Sequence, residues 1–239
     1  MFEDLKGKSI LIVGCSKGIG KNLVSALQYF SPSLHLISRN NPNISEFENL
    51  TTSFYPLDIT QEDDYDTKLK ELPKLDGVCF IAGSIRLTPP AMMNKKLITK
   101  SFDTNVIGPM ALTSYLLKKK LINDNASIIY TSSVGRHSQA ECSAIYSASK
   151  MSLLGTVNAL ASDLSKRKVR VNSVSFDYVI TEMVKDIDYS QFENDIVGAS
   201  PVEYTSLPYL YLLSKMSRWV IGQIIAADAG RMLSKTRYV

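Results

Sequence analysis

Seven short apolar runs, separated by segments with helical periodicity, constrain the fold of this chain more than any other feature. The runs fall at 9–13, 34–37, 53–57, 77–82, 127–130, 169–175 and 222–227. Continuous apolar runs of about four to eight residues are typical of parallel strands that are buried on both faces. We therefore predict an α/β fold in one domain over residues 1–239, with a doubly wound parallel sheet of about seven strands and helices on both faces.

A glycine-rich turn follows the first of these strands. Gly14, Gly18 and Gly20 stand in G-x-x-x-G-x-G spacing between the strand and a helical pattern at 23–30. Strand, glycine turn and helix in this order bring backbone N–H groups and a helix N-terminus to one point, which favours binding of a phosphate or pyrophosphate. Glycines in such a turn also have a purely conformational interpretation.

The residues after the second strand indicate which dinucleotide the chain would bind. Ser38 stands where an NAD-binding fold usually offers a carboxylate to the ribose, and Arg39 follows it. Arginine suits the 2′-phosphate of NADP, and Lys17 in the glycine turn adds a second positive charge on the same side. We therefore predict NADP(H) as cofactor and disfavour NAD(H). The alternative is that Arg39 is an ordinary solvated loop residue.

A Tyr-x-x-x-Lys pair opens the helix predicted at 145–166. Residues four apart share a helix face, so Lys150 lies behind Tyr146. A nearby ammonium that is partly removed from water favours the phenolate, so we expect it to lower the pKa of Tyr146 and make this residue a candidate general acid or base. Ser133 ends the fifth strand, where it would hold a substrate oxygen. Alone, such a pair is also common on helix surfaces.

Polar and small residues at three further places add to this candidate site. Asp58, after the third strand, either caps the next helix or accepts a bond from an adenine amino group. Ala82 and Gly83 follow the fourth strand and leave room for a cofactor. Asn105 precedes a Gly-Pro step that interrupts the helix predicted at 98–121, and a kink there would turn its side chain into the crevice at the sheet edge. Shorter helices are predicted at 63–72 and 204–215.

Charge, hydropathy and cysteine usage disfavour several classes of protein. The 27 Lys and Arg against 23 Asp and Glu give a net charge of +4, which is weak evidence for nucleic acid binding. No apolar run approaches the roughly 18 residues of a membrane-spanning helix, and the first residues lack the apolar core of a secretory signal. Cys15, Cys79 and Cys142 lack metal-ligand spacing and resemble reduced small hydrophobic residues. We predict a cytoplasmic protein without a metal, nucleic acid or membrane partner.

The segment 176–204, after the sixth strand, is rich in acidic and aromatic residues. Loops at this end of a sheet cover the ligand, so we predict a substrate lid here. Its acids would repel an anionic carrier or coenzyme A and would suit a polyhydroxylated substrate such as a sugar.

The apolar faces of the helices at 98–121 and 145–166 exceed what one sheet surface needs, so we also predict a homodimer or homotetramer. The alternative is that these faces are covered within the core of a single chain.

These residues together resemble the short-chain dehydrogenases/reductases in their compact single-domain form, among them proteins described as 3-oxoacyl carrier-protein reductases. The resemblance covers nearly the whole chain and rests on the glycine turn, Ala82 and Gly83, Asn105, Ser133, and the Tyr-x-x-x-Lys pair. It implies an NAD(P)-binding Rossmann domain that transfers a hydride between NADP(H) and a small carbonyl or alcohol substrate.

The resemblance also implies roles for individual residues. Tyr146 would transfer the proton at the substrate oxygen, which Ser133 would hydrogen-bond, and Lys150 would lower the tyrosine pKa and bind the nicotinamide ribose. Asn105 would hold a water that links Lys150 to solvent, and Thr181 would hold the carboxamide. The full cofactor-binding set that it implies is Gly14, Ser16, Lys17, Gly18, Ile19, Gly20, Ser38, Arg39, Asp58, Ile59, Ala82, Gly83, Asn105, Tyr146, Lys150, Val179 and Thr181.

The chain departs from the family pattern at three places. Val13 replaces a threonine before the glycine turn, Ile81 replaces an asparagine before Ala82, and Phe176-Asp177 replaces the Pro-Gly that usually follows the sixth strand. The last change places a carboxylate near the site and bears on the carboxamide contact of Thr181. These departures motivate an alternative function: an NADP-binding regulatory or structural protein with little or no turnover.

Overall fold

Seven strands form one parallel sheet in a computed structural model of the chain, which describes residues 2–43, 51–134, 141–184, 199–228 and 230. The strands are β1 (Ser9–Val13), β2 (Ser33–Ser38), β3 (Thr52–Pro56), β4 (Leu75–Phe80), β5 (Ile122–Ser133), β6 (Arg170–Phe176) and β7 (Ile224–Ala227). Their order across the sheet is β3-β2-β1-β4-β5-β6-β7. The predicted α/β fold and doubly wound sheet are confirmed.

The strand order reverses between β1 and β4, and this places the candidate site. The chain runs outward from β1 through β2 to β3, then crosses back so that β4 pairs with the other side of β1. Val13 is in register with Ile37 on one side and with Phe80 on the other. In open α/β sheets, ligands bind outside the carboxyl ends of the strands at such a reversal. The glycine turn begins directly after Val13 and therefore lies at this point.

Helices cover both faces of the sheet. They are α1 (Gly18–Leu27), α2 (Tyr65–Lys68), α3 (Lys95–Phe102), α4 (Gly108–Lys118), α5 (Ala144–Asp163) and α6 (Ser206–Leu213). One core cluster joins Leu11, Val78 and Ile128 to α4 and α5, and the second joins alternate strand residues such as Ile10 and Ile12 to α1 and α6. Because successive strand residues point to opposite faces, a strand between two cores must be apolar throughout, which explains the continuous apolar runs.

The helix predicted at 98–121 is interrupted one turn earlier than expected. A π-helical turn spans Asp103–Ile107, between α3 and α4. Pro109 has no N–H to donate to the carbonyl of Asn105 four residues before it, and the wider π turn accommodates this missing bond. Asn105 consequently lies inside the turn with its side chain buried.

Two other predicted elements differ from the structure. β5 begins at Ile122, five residues before its predicted start, because Ile122 is in register with Leu75 and the Asn123 amide donates to Asp76 at 2.8 Å. The helix predicted at 63–72 contracts to a 3₁₀ turn and the four residues of α2. A proline after Leu72 disfavours helical backbone at that residue. In both cases a local pattern is overridden by a neighbour in the fold or along the chain.

Buried polar side chains on β6 join the last strands of the sheet. The Arg170 guanidinium donates to the Ser217 hydroxyl at 2.7 Å. The Asn172 amide donates to the Val220 carbonyl at 2.8 Å and accepts from the Gln223 N–H at 2.9 Å. These bonds satisfy the polar groups that the core would otherwise leave without partners. Arg170 and Asn172, two polar residues in this otherwise apolar strand, therefore have a structural explanation.

Candidate active site

The carboxyl ends of the central strands surround a cavity of about 140 Å³. Its wall includes several predicted site residues, namely Ile19, Gly83, Ser133, Tyr146, Lys150, Val179 and Thr181. An engineered apolar cavity of roughly 150 Å³ accommodates benzene, so this space suits a group of about one ring in size. The fold therefore brings together residues that are separated by more than 150 positions in the sequence.

Tyr146 and Ser133 contact each other on this wall. Ser133 is the last residue of β5, Tyr146 is the third residue of α5, and the Ser133 side chain is close enough to the phenol to lower its pKa in part. Both side chains are half-buried. Two hydroxyl groups thus converge at the carboxyl edge of the sheet, in the arrangement predicted for holding one substrate oxygen.

Lys150 lies one helical turn beyond Tyr146 and is almost fully buried, with 4% of its surface exposed. Its ammonium donates to the backbone carbonyl of Thr131 at 2.9 Å, and the Ser132 hydroxyl donates to the Lys150 carbonyl at 2.8 Å. Burial lowers the pKa of Lys150 to about 8. The lysine is therefore fixed against β5 by hydrogen bonds at both its ends.

The expected effect of Lys150 on the tyrosine is corrected by the structure. Burial raises the pKa of Tyr146, the hydrogen bond from Ser133 opposes part of that rise, and the nearby Tyr178 adds to it. Removal of the phenol from water disfavours the phenolate, and the Lys150 ammonium is held by the Thr131 carbonyl. Tyr146 is consequently a protonated hydrogen-bond donor at neutral pH.

Asn105 connects the end of β4 to α5. Its side-chain oxygen accepts from the Ser84 N–H at 2.8 Å, and its amide donates to the Ser84 carbonyl at 3.0 Å and to the Ser149 hydroxyl at 2.9 Å. A side chain built on Gly83 would come within 3.1 Å of the Lys150 ammonium and 3.3 Å of the Asn105 oxygen. Asn105 therefore lies beside Lys150 and behind the cavity wall, whereas the kink was predicted to turn its side chain into the crevice itself.

The glycine turn is tightly packed and leaves the start of α1 open. A Cβ on Gly20 would lie 2.0 Å from the Gly14 carbonyl oxygen, and one on Gly14 would lie 2.4 Å from the Ala82 nitrogen. Gly14 and Gly18 also have positive φ angles of 94° and 51°. Lys17 is the N-cap residue and makes no side-chain capping bond, so the first N–H groups of α1 are not used by its cap. Both the conformational and the anion-binding interpretation of these glycines therefore fit.

Positively charged side chains flank the end of β1. The N–H of Gly14 donates to the Ile37 carbonyl at 2.8 Å, so the residues that follow Ile37 lie beside the glycine turn. Ser38 is buried, with its hydroxyl 3.6 Å from the Cys15 sulfur, whereas Arg39 is exposed. These residues fit a dinucleotide: an open helix N-terminus and a tight glycine turn accept its phosphates, with Arg39 at the adjoining strand end.

Lys17 contacts the segment that follows β6. Its ammonium lies 2.5 Å from the Glu182 carboxylate, and both side chains are about two-thirds exposed. The neighbouring Thr181 lies against the glycine turn, because a Cβ on Gly18 would come 3.2 Å from its methyl group. The start of the predicted lid thus packs on the turn predicted to bind phosphate. Residues 185–198 of that lid lie outside the described residues.

The other predicted cofactor residues lie beside the cavity or toward β3. Asp58 accepts two hydrogen bonds from Thr60, from its N–H at 3.0 Å and its hydroxyl at 2.9 Å, so it stabilises a local turn and does not cap the next helix, α2, whose N-cap residue is Asp64. Ile59 is buried in the core, and Ser16 is half-buried in the glycine turn. Val179 forms a bridge with Ser200 at the base of the lid.

Some residues of the site were missed by sequence reasoning. Thr131 holds Lys150 through its backbone carbonyl, a role that requires no particular side chain and leaves no sequence signal. Ser84 and Ser149, which hold Asn105, directly follow Gly83 and precede Lys150. Small hydroxyl residues next to recognised positions are the signal that could have found this pair.

A protein-family model and two known proteins match most of this chain. A family model described as enoyl-(acyl carrier protein) reductase matches residues 14–231. The chain is 26% identical to the 3-oxoacyl-[acyl-carrier-protein] reductase FabG of Rickettsia felis, over 96% of this chain and 99% of that protein. It is 27% identical to a mitochondrial borneol dehydrogenase of Lavandula x intermedia, over 96% of this chain and 92% of that protein.

A solved structure is also similar. The crystal structure of a short chain dehydrogenase family protein from Francisella tularensis superposes with a TM-score of 0.85, at 23% identity, over 95% of this chain and 99% of that one. This similarity supports the fold alone.

The chain belongs to the short-chain dehydrogenase/reductase family, and it is an oxidoreductase of that family. Members of the family use a nicotinamide cofactor, act on small molecules and commonly form oligomers. The names of the two relatives refer to different substrates, a 3-oxoacyl carrier protein and borneol. Family membership therefore indicates the kind of reaction, whereas the substrate depends on the residues of this cavity.

Within the described part of the chain, no helix combines the length and apolar character needed to cross a bilayer. Among the same residues, no group of three or more His, Cys, Asp and Glu side chains is placed to hold a metal ion. Cys15 and Cys79 are buried and Cys142 is partly exposed, all as free thiols.

Proposed function

We propose that this protein is an NADP(H)-dependent oxidoreductase that transfers a hydride between nicotinamide and a carbonyl or alcohol substrate. The observation that carries the proposal is the convergence of Ser133, Tyr146 and Lys150 on one cavity, with Asn105 behind them. When bound, the nicotinamide supplies or accepts the hydride. The protein's own residues then have to orient the substrate and move one proton.

Tyr146 transfers that proton in this proposal. In the reducing direction the phenol O–H gives its proton to the carbonyl oxygen, and in the oxidising direction it takes the proton from the alcohol. Because burial raises the pKa of Tyr146, the phenol is protonated at neutral pH, as proton donation in the reducing direction requires. Ser133, which lines the cavity beside Tyr146, supplies a second donor to the same oxygen.

Lys150 and Asn105 act behind the tyrosine. Lys150 is held by the Thr131 carbonyl and lies beside Gly83, the position expected for a cofactor to pass. A pKa of about 8 lets this lysine give up and regain a proton near neutral pH, as a relay to Tyr146 requires. Asn105 fixes the distance between the end of β4 and α5 through its bonds to Ser84 and Ser149.

Arg39 and Lys17 support the NADP assignment, and the first prediction tests Arg39. Arg39→Ala is expected to weaken NADPH binding by about tenfold to a hundredfold, because charge-assisted hydrogen bonds contribute roughly 1.5–3 kcal/mol. NADH lacks the 2′-phosphate, so its affinity should change by less than about twofold. Fluorescence titration with the two nucleotides measures both values.

Arg218→Ala is the matched control, because Arg218 is an exposed arginine that precedes the amino end of β7. It should leave both affinities unchanged. Equal weakening of NADPH and NADH by Arg39→Ala, or equal affinity of the unaltered protein for the two nucleotides, would contradict the NADP assignment.

The contact between Lys17 and Glu182 gives a second prediction. A 2′-phosphate competes with the Glu182 carboxylate for the Lys17 ammonium, so Glu182→Gln is expected to strengthen NADPH binding. The pair is exposed, and exposed pairs contribute up to about 1 kcal/mol, so the gain should not exceed roughly fivefold. NADH affinity should not rise. Glu203→Gln is the control, because Glu203 is an exposed acid of the same segment. Weaker NADPH binding by the Glu182 variant would show that Lys17 does not contact the phosphate.

The overall proposal is tested by NADPH oxidation with a panel of carbonyl compounds. Turnover supports an oxidoreductase of this type, whereas tight NADPH binding without turnover across the panel favours the regulatory alternative.

We further propose self-association through α4, because Ile107 and Met110 leave 48% and 44% of their surfaces exposed at the start of that helix. Isolated exposed apolar residues are ordinary, but a group on one helix favours a partner surface.

A further inference from the structure

The cavity wall carries serine side chains that have no role in the proposed proton transfer. They are Ser84, Ser143 and Ser147, and all three line the cavity. Other polar groups of the wall are already engaged. The Thr131 hydroxyl is hydrogen-bonded to a buried tyrosine, Ser132 donates to the Lys150 carbonyl, and Asp177 and Tyr178 have interactions of their own. The three serines therefore remain as hydroxyl groups available to a substrate.

Ser84 presents an open hydroxyl group on a fixed backbone. Its N–H donates to the Asn105 side-chain oxygen at 2.8 Å, and its carbonyl accepts from the Asn105 amide at 3.0 Å. The residue is exposed, and its hydroxyl has no hydrogen-bond partner among the described residues. Because both backbone bonds already hold the residue in place, little order has to be gained when a ligand binds to the hydroxyl.

Ser143 and Ser147 form a pair at the start of α5, with their hydroxyl oxygens 3.1 Å apart. Ser143 is the N-cap residue, where a serine usually accepts a hydrogen bond from a backbone N–H of the first turn, but its side chain makes no such bond. Each hydroxyl has one proton, and the bond within the pair uses one of the two. No other partner of these two hydroxyl groups lies within the described part of the chain. The pair therefore retains one O–H donor for a ligand.

Helical spacing places this pair beside the proposed proton donor. Positions three or four apart share one helix face, so one face of α5 carries Ser143, Tyr146, Ser147 and Lys150. All four of these residues line the cavity. The Thr88 N–H donates to the Cys142 carbonyl at 2.7 Å, which ties the segment after β4 to the start of α5. Ser84 and the serine pair thus reach one cavity from two elements that are joined to each other.

We propose that Ser84, Ser143 and Ser147 bind a second oxygen of the substrate, so that this enzyme selects carbonyl compounds with an ether, hydroxyl or further carbonyl oxygen near the reacting group. The inference rests on the proposed function and assigns its substrate class. A serine that donates to this oxygen favours the substrate over a hydrocarbon of the same shape. The reason is that the hydrocarbon displaces water from the serine and leaves its donor without a partner.

Ring ketones of nearly equal size test the proposal. Cyclohexanone has no second oxygen, whereas in tetrahydropyran-3-one and tetrahydropyran-4-one an ether oxygen replaces one CH₂ group. A single ring matches the cavity of about 140 Å³. With NADPH, the unaltered protein should show a kcat/KM for the better of the two oxygen-containing rings that is about tenfold above the value for cyclohexanone, as one hydrogen bond in a closed site provides.

The decisive result is the change of this ratio in variants. The ring oxygen also alters the intrinsic reactivity of the carbonyl, and that contribution cancels when two proteins are compared. The triple variant Ser84→Ala/Ser143→Ala/Ser147→Ala should lower the ratio by about tenfold, and Ser84→Ala alone by about threefold. Ser162→Ala, which removes an exposed hydroxyl from α5 outside the cavity wall, is the matched control and should leave the ratio unchanged.

Binding provides a readout that does not depend on turnover. Ligand-observed NMR measures the affinity of each ring for the protein with NADP⁺, which cannot reduce a ketone, and for the protein without nucleotide. The oxygen-containing ring should bind more tightly than cyclohexanone, and this preference should disappear in the triple variant. Circular dichroism checks that each variant is folded. If the triple variant is not, Ser84→Ala takes its place, because it changes an exposed side chain.

The outcomes separate this inference from the proposed function. If the binding preference and its dependence on the serines hold while no carbonyl compound is reduced, the inference about the second oxygen stands and the oxidoreductase proposal fails. If the rings are reduced without preference, or with a preference that the serine variants leave intact, the proposed function stands and the inference is overturned.

Discussion

Tyr146→Phe should lower kcat/KM for NADPH-dependent carbonyl reduction by about two to four orders of magnitude. The substitution removes only the phenol oxygen, and a positioned proton donor contributes roughly 10²–10⁴ to a rate. In the structure Tyr146 lines the cavity beside Ser133. In the phenylalanine variant, Ser133 is the only one of the two hydroxyl residues left to donate a hydrogen bond to the substrate oxygen as negative charge develops on it.

The measurement is steady-state NADPH oxidation with the best substrate of a carbonyl panel, together with the dissociation constant for NADPH. The affinity for NADPH should change by less than about threefold, because the lost oxygen is proposed to act on the substrate. Tyr178→Phe removes a second phenol from the same cavity wall and is the matched control, with an expected loss of less than about tenfold. Equal losses in the two variants would show that Tyr146 has no special role in proton transfer.

Lys150→Met should stabilise the protein at pH 7 and at the same time remove most of its activity. The Lys150 side chain is 4% exposed, and burial lowers its pKa to about 8 from an ordinary value of 10.5. A difference of this size between the folded and unfolded states corresponds to roughly 3 kcal/mol, which the folded protein loses while the lysine is charged. Methionine fills similar space without a charge. Loss of the hydrogen bond to Thr131 offsets about 1 kcal/mol, so we expect a net gain of about 2 kcal/mol.

The sign of the pH dependence follows from the same pKa difference. Below about pH 8 the lysine is charged in both the folded and the unfolded state, so its destabilising effect is fully present. Between about pH 8 and 10.5 the folded protein has released the proton while the unfolded chain still binds it, so the unaltered protein gains stability as pH rises. The advantage of Lys150→Met should therefore be largest at pH 7 and should shrink across this window.

Urea unfolding at several pH values between 7 and 10 measures the difference between the two proteins directly. Groups that titrate in both proteins, such as the tyrosines, cancel in this difference. Lys166→Met, at an exposed lysine after α5, is the control and should change stability by less than about 0.5 kcal/mol. A difference between the Lys150 variant and the unaltered protein that stays constant from pH 7 to 10 would contradict the burial of a charged lysine.

The gain in stability and the loss of activity expected for Lys150→Met have the same cause, which is the burial of this lysine. A lysine without a carboxylate partner in a packed interior is costly to stability, and proteins retain such groups where activity needs them. Lys150 donates a hydrogen bond to the Thr131 carbonyl, and its ammonium lies where a side chain on Gly83 would come within 3.1 Å of it. We infer that the cost is retained because this is the position from which a lysine can act on Tyr146 and on a bound cofactor.

Much of the fold was predictable because it depends on short-range pattern. Ser9–Val13 was predicted to the residue, since a short β-branched run followed by glycine is an unambiguous local signal. The positions of Tyr146 and Lys150 on one helix also follow from helical spacing alone. The interruption of the helix near Asn105 was expected from a Gly-Pro step, and only its placement one turn earlier differed.

Local sequence patterns were therefore enough to predict most of the strands, the glycine turn, the family and the residue types of the candidate site, because periodicity and spacing act over a few residues. The contacts of those residues could be read only from the folded chain. Thr131 as the partner of Lys150, the pairing of Lys17 with Glu182, and Asp177 beside Ser133 each join residues that are distant in sequence or involve backbone atoms that leave no signal. The rise in the Tyr146 pKa was missed for the same reason, since burial depends on packing from many segments and no spacing rule records it.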